Sequence, residues 1–176
     1  IIDVPPSNKA VISAVMGGYI KKTTLLVGDQ VKKGERLISL ENPEFIKLQQ
    51  EYLEVKQQLN YLNAEFKREE ILNKERISSK KNFLKAESDL KTAEATYAGL
   101  RRQLELLNID PLEVEAGNIS SIVHLVSPIN GSVTKINVSL GTYVSPTTPI
   151  MEVVDNDHIH LELSVFEKDI MKIEKG

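Results

Sequence analysis

Residues 43–108 read PEFIKLQQEYLEVKQQLNYLNAEFKREEILNKERISSKKNFLKAESDLKTAEATYAGLRRQLELLN. Two apolar seams run through this stretch. Phe45, Leu48, Tyr52, Val55, Leu59, Leu62 and Phe66 follow one another at alternating steps of three and four. Phe83, Ala86, Leu90, Ala93, Tyr97, Leu100, Leu104 and Leu107 do the same. That spacing lays one narrow apolar stripe along a helix and asks for a partner helix. The stretch holds 12 Lys/Arg and 11 Asp/Glu, and its breakers are Pro43 at the start and Gly99. Such a composition favours helix throughout. Asn42-Pro43-Glu44 provides a capping side chain, a proline at the first helical position and an acid at the positive end of the helix dipole. Asp110-Pro111 reads as the stop.

The seams pair by arithmetic, since facing residues of an antiparallel hairpin have a constant sum of numbers. Phe66 with Phe83, Leu59 with Leu90, Tyr52 with Tyr97 and Phe45 with Leu104 all give 149. Leu62 with Ala86, Val55 with Ala93 and Leu48 with Leu100 give 148. The bend is therefore expected near residues 74 and 75, with Leu72 and Ile77 closing the apex. Arms of about 30 residues reach about 45 Å at the helical rise. Glu70 with Lys74 and Glu87 with Lys91 are spaced as i,i+4 ion pairs on the outer faces.

The flanks are rich in Val, Ile, Thr and Gly and read as short strands. They match each other at an offset of 113: Gly18 with Gly131, Ile20 with Val133, Gly28 with Gly141, Val31 with Val144, Leu37 with Ile150 and Leu40 with Val153. The glycines suit turns of positive φ, and the aliphatic positions suit buried sides of strands. Neither half has enough apolar area to fold alone, so the two must pack together. That brings the ends of the helical insert close, as an antiparallel hairpin requires.

Composition narrows the function. The chain has 176 residues, 22 basic against 25 acidic, net −3, which argues against a nucleic-acid partner. Cysteine is absent, so disulfides, thiol catalysis and cysteine zinc sites are excluded. Tryptophan is absent and aromatics make up 5%, so the core must be aliphatic. No apolar run approaches the roughly 18 residues of a membrane span, and no signal peptide opens the chain. The opening at Ile1-Ile2-Asp3 and the end at Gly176 read as cuts in a longer protein.

Gly18 and Gly28-Asp29-Gln30-Val31-Lys32-Lys33-Gly34-Glu35, followed by Leu37-Ile38-Ser39-Leu40, resemble the first half of a biotinyl/lipoyl-type β-sandwich. Ser127-Pro128-Ile129-Asn130-Gly131-Ser132-Val133 with Gly141-Thr142-Tyr143-Val144 resembles the second half. A lipoyl-like unit split by a helical hairpin resembles the periplasmic adaptors, or membrane fusion proteins, of the HlyD class. The similarity is greatest to the CusB-like branch that serves resistance-nodulation-division (RND) efflux pumps. The implied fold is α+β: a lipoyl-like barrel-sandwich hybrid split by a long antiparallel coiled-coil hairpin, with the start of a β-barrel domain. The expected division is residues 1–42 and 110–155 for the two half-motifs, 43–109 for the hairpin and 156–176 for the barrel entry. The resemblance implies a linker rather than an enzyme, without cofactor. Its implied partners are an inner-membrane RND pump, a TolC-like outer-membrane channel and copies of itself in a ring, a hexamer in the assembled pump. It implies a periplasmic location, held at the inner membrane through a segment outside this chain, and possible cargo in metal cations. An adaptor of an ABC-type exporter or type I secretion system shares the fold and is the alternative.

Many adaptors of this class carry Arg-x3-Leu-x6-Ser at the hairpin tip. Arg68, Leu72 and Ser79 fit that spacing and flank the expected bend, which marks them as the partner-binding tip. A register one residue earlier gives Lys67, Ile71 and Ser78, which lacks the arginine. A solvated turn whose Leu72 closes the seam is the plain reading of the same residues. For metals, His158 and His160 share a face of an expected strand spanning Asp155 to Ser164, but His124 is remote and Met16, Met151 and Met171 are scattered. Two histidines without a third ligand do not make a metal site, so none is assigned. A swinging-arm carrier would need a modifiable lysine where Glu41-Asn42-Pro43 stands. A hydrolase or transferase would need a clustered Ser/His/Asp set, and His124 beside Ser120 and Ser121 reads as linker instead.

Overall fold

In the structure, a computed structural model, residues 2–3, 8–155 and 160–161 are described, the first and last pairs by backbone alone. The elements in chain order are β1 (Ile2–Asp3), β2 (Lys9–Ile12), β3 (Gly18–Thr23), β4 (Gln30–Val31), β5 (Arg36–Glu41), α1 (Pro43–Lys74), α2 (Lys80–Leu106), α3 (Pro111–Glu115), β6 (Ile122–Val126), β7 (Gly131–Ile136), β8 (Tyr143–Val144), β9 (Met151–Val154) and β10 (His160–Leu161). The expected strand from Asp155 to Ser164 and the barrel entry fall largely outside the described residues. What is described there is the short antiparallel pairing of β10 with β1.

The duplication organises the sandwich. Shifting β2, β3 and β4 by 113 residues lands on β6, β7 and β8, and β5 lands on β9. The two four-stranded sheets run β2-β9-β7-β4 and β6-β5-β3-β8, all antiparallel. The shift therefore exchanges the sheets, and each sheet takes two strands from each half. The hydrogen bonds repeat as well. Gly28 N–H donates to the Val133 carbonyl at 2.8 Å, and Gly141 N–H donates to the Ile20 carbonyl at 2.9 Å. A β-bulge interrupts the ladder between Ile20 and Lys22 and again between Val133 and Lys135. Every aliphatic pair matched by the offset is buried: Ile20 and Val133, Val31 and Val144, Leu37 and Ile150, Leu40 and Val153.

The matched glycines divide by cause. Gly28 and Gly141 have φ of 102° and 78°, the left-handed region expected of turns. Gly18 and Gly131 do not. They sit in strands beside a neighbouring backbone, which leaves no room for a Cβ at Gly131 and a tight 3.1 Å to the Glu41 carbonyl oxygen at Gly18.

The helices follow the seam, and α1 starts as read, with Asn42 Oδ1 accepting from Glu44 N–H at 2.9 Å, but the tip and the end of α2 depart from the sequence reading. Tyr52 stacks on Tyr97 at 5.1 Å between ring centroids, and Phe66 meets Phe83 at 5.6 Å, as the constant sum requires. The outer-face pairs Glu70–Lys74 and Glu87–Lys91 are present at 2.8 and 2.6 Å. The bend, however, occupies residues 75–79 rather than 74 and 75. The first arm ends at Lys74, and the turn extends to Ser79 because backbone capping takes up residues between the helices, which a seam extrapolated to its apex does not include. Asp110-Pro111 is likewise not the stop of α2. It starts α3, with the Asp110 carboxylate accepting from Leu112 N–H at 2.9 Å and Pro111 in the first turn. The helix α2 ends earlier, at Leu106, and Asn108 follows its cap in the left-handed conformation (φ 57°). Ile109 N–H bonds the Leu104 carbonyl and Asn108 N–H the Glu105 carbonyl, both at 3.0 Å, the Schellman pattern.

Candidate functional site at the hairpin tip

The tip is built by a Schellman motif followed at once by an N-cap. Arg76 takes the left-handed conformation (φ 59°), and its N–H bonds the Asn73 carbonyl at 3.0 Å. Ile77 N–H bonds the Leu72 carbonyl at 2.8 Å. Leu72 and Ile77 thus meet at the apex through backbone. Ile77 is 70% exposed and Leu72 half-buried, so little of Ile77 is covered at the apex. Ser79 then caps α2, its hydroxyl oxygen accepting from Asn82 N–H at 3.2 Å.

The three residues of the tip motif therefore stand in different surroundings. Arg68 is exposed and pairs with Glu65 at 2.5 Å, with Glu69 at 3.9 Å. Leu72 accepts the turn's backbone hydrogen bonds, and Ser79 is committed as a cap. In the alternative register Lys67 and Ile71 are exposed, and Ser78 donates to Glu69 at 2.6 Å. What the spacing did not single out is the apolar content of the tip: Ile71 and Ile77 both face solvent, beside the cations Arg68, Lys74 and Arg76.

The mounting of the hairpin is as specific as its tip. Phe45, Tyr52 and Leu104 are fully buried at the base, where α3 crosses both helices. The Tyr52 and Tyr97 hydroxyls lie 2.9 Å apart, and both donate to Glu115 of α3, at 2.6 and 3.2 Å. The other Glu115 oxygen takes Lys56 at 2.6 Å. Burial, and then the carboxylate, push the Tyr52 phenol above its ordinary value, so it stays a donor. Lys56 first, then the Tyr52 hydroxyl, hold the Glu115 carboxyl below its ordinary 4.5. The buried Gln49 amide donates to the Ser120 carbonyl at 2.8 Å and accepts from Ser120 N–H at 3.1 Å. The base is thereby tied to the linker leading into β6.

A depressed carboxylate contributes stability that is present above its ordinary value and lost as pH falls through its folded value. Glu115→Gln is therefore expected to lower the melting temperature at pH 7 by about 2–4 °C. The gap between variant and parent should close as pH is taken below the ordinary carboxylate range. A gap of constant size in melts from pH 7 to pH 3 would show that the charge on Glu115 carries none of it.

The remaining candidates stand as follows. His158 lies outside the described residues, as does the His160 side chain. Met171 also lies outside them, while Met151 is fully buried core and Met16 packs against it. His124 is not part of a linker: it lies in β6, 3.0 Å from the Ser39 hydroxyl of β5. Sequence neighbourhood pointed to Ser120 and Ser121, whereas the β5–β6 ladder sets Ser39 opposite His124. Among the described residues no group of three or more His, Cys, Asp or Glu side chains is placed to hold a metal ion. None of the described helices is long and apolar enough to cross a membrane.

Comparison with known proteins bears on this architecture. The nickel and cobalt resistance protein CnrB of Cupriavidus metallidurans is 26% identical over 173 residues, covering 97% of this chain and 42% of CnrB. The cobalt-zinc-cadmium resistance protein CzcB of the same organism is 23% identical over 164 residues, 92% of this chain and 30% of CzcB. The chain thus spans less than half the length of these curated relatives. Among solved structures, ZneB of C. metallidurans matches at a TM-score of 0.59 with 21% identity, covering 99% of this chain and 71% of ZneB. A MacA–MexA chimera containing the Pseudomonas aeruginosa MexA α-hairpin domain matches at 0.67 with 23% identity, covering 99% of this chain and 56% of the chimera. The family model described as CusB, barrel-sandwich hybrid domain, matches residues 9–154, from the first strand of the sandwich to the last, and the chain belongs to that family.

Proposed function

We propose that this chain is the sandwich and hairpin portion of a periplasmic adaptor, one that links an inner-membrane RND transporter to a TolC-like outer-membrane channel in metal-cation efflux. The role is mechanical rather than enzymatic. The observation that carries it is the long helix pair rising from a rigid β base. Its first helix has 32 residues, about 48 Å of helix, and ends in a tip with exposed apolar and cationic groups. A shape of this kind transmits position across a distance. Nickel, cobalt, zinc and cadmium appear in the names of the resistance proteins it resembles, which supports cations of that class as cargo. Copies of the chain standing side by side as a ring, six in number, would make the outer faces of the hairpins an interface.

Docking of the tip rests on Arg68 and Leu72 with Ser79 as the cap that shapes the turn. Arg68→Asp in the full-length protein is expected to abolish co-purification of the outer-membrane channel from crosslinked envelopes. Folding should be unchanged, because Arg68 is exposed and its partner Glu65 lies one turn away on the same helix. Ser79→Ala is a poor test, since loss of a cap costs about 1 kcal/mol by itself. Ser79→Asp keeps the cap and is the better probe. Undiminished channel recovery with Arg68→Asp would refute tip docking. Recovery of an ABC-type ATPase in place of an RND pump would replace the pump assignment.

A further inference from the structure

On the outer face of the sheet β6-β5-β3, the register places Lys22, Ser39 and His124 side by side across three strands. They line a cleft of about 210 Å³ together with Thr23, Thr24, Arg36, Leu37 and Ile38. No carboxylate lines it. Among the described residues, neither Lys22 nor Arg36 takes part in an ion pair. Thr23 pairs with Ile38, so its buried hydroxyl faces the core and lies outside the row formed by Lys22, Ser39 and His124. When the Ser39 hydroxyl donates to His124 Nδ1 at 3.0 Å, the ring proton sits on Nε2 and is free to donate outward. Burial first, and then the nearby Arg36 charge, hold the His124 imidazole below its ordinary value, which favours the neutral ring.

We propose that this cleft is a binding site for a tetrahedral oxyanion, a phosphate group held by Arg36, Lys22 and His124. The cleft supplies hydrogen-bond donors from three strands and two exposed cations, with no acid to compete. An anion with many acceptor lone pairs is the ligand class that satisfies them together, and guanidinium is suited to its geometry. The phosphate can be free in solution or belong to a lipid headgroup. The inference does not depend on the adaptor reading, because it concerns a face of the sandwich remote in sequence from the hairpin tip.

The test is titration of the isotope-labelled chain with inorganic phosphate at constant ionic strength, followed by NMR at the His124 ring and the amides of Thr23 and Ser39. A saturable shift at these positions is expected, with affinity reduced about tenfold or more in Arg36→Ala. Lys22→Ala serves as a second variant, and thermal melts of both confirm the fold. A parallel arm sediments the chain with vesicles of phosphatidylcholine, with and without phosphatidylglycerol. Phosphate shifts without vesicle binding support a soluble oxyanion. Vesicle binding that needs phosphatidylglycerol and is lost in Arg36→Ala supports a headgroup. Shifts that never saturate, or that survive unchanged in both folded variants, overturn the proposal.

Discussion

Gly131→Ala is expected to disrupt the sandwich more than any other single methyl added to it. A Cβ at this position would collide with the Val154 carbonyl oxygen, 2.6 Å from its carbon and 3.0 Å from the Asp155 nitrogen. All three are backbone atoms at the end of β9, the strand that pairs with β7 along its length. A flexible side chain would swing away from the methyl, but a laddered strand moves only by breaking its hydrogen bonds. The cost should lie at or above the top of the about 1–3 kcal/mol range for overpacking. That corresponds to a fall in melting temperature of about 6–12 °C. Two further substitutions calibrate the result. At Gly18, the matched position in the other half, the nearest backbone atom to an added Cβ is the Glu41 carbonyl oxygen at 3.1 Å, so Gly18→Ala should cost less. At Gly99, in the interior of α2, nothing lies within 4 Å of an added Cβ. Gly99→Ala should stabilise by about 0.4–1 kcal/mol, because alanine restricts the unfolded chain. Thermal melts of the three variants would rank them, and a Gly131→Ala protein melting with its parent would contradict the close β7–β9 approach.

Phe45→Ala and Phe66→Ala remove the same side chain from the same seam and are expected to differ severalfold. Phe45 is fully buried at the base, in one core with Leu104 and the sandwich. Its truncation should cost about 3–5 kcal/mol. Phe66 is half-exposed near the tip, and its aromatic partner is Phe83. Its truncation should cost about 1–2 kcal/mol. The character of the loss should differ too. Phe45→Ala should lower the single global transition, since base and sandwich share a core. Phe66→Ala should raise hydrogen exchange around residues 66–83 while leaving the sandwich amides protected. Equal losses in the two variants would mean that the hairpin is no better anchored at its foot than at its end.

The contrast between the two phenylalanines shows how far periodicity carries. The constant sum of 149 placed Tyr52 against Tyr97 and Phe66 against Phe83, and both pairs form. It did not distinguish a seam position under the sandwich from one in solvent, because spacing records which residues face a partner and not what covers them. The end of α2 was misplaced for a related reason. Asp110-Pro111 carries the same signature as Asn42-Pro43-Glu44, an N-cap followed by proline, and its similarity to a start was the clue to α3. Arg76 at the tip and Asn108 at the base end of α2 adopt left-handed conformations that glycine usually takes, so no glycine announced either helix end. For the candidate tip, the motif spacing located the turn but not its chemistry. Ser79 is engaged as a cap, and Ile71 and Ile77 present the apolar surface.

Sequence alone determined the two seams, their pairing, and the doubling of the β unit at an offset of 113. These are properties of order along the chain: a repeated pattern of buried positions survives whatever surrounds it. Tertiary structure decided that the two halves trade strands between sheets, and that Gly131 has no room for a methyl. It also set two tyrosines and a lysine around Glu115, and Lys22, Ser39 and His124 in one row. Each of these joins residues far apart in sequence. Their chemistry comes from the dielectric, the backbone and the charges that folding brings to them, and none of those is written at the residue itself.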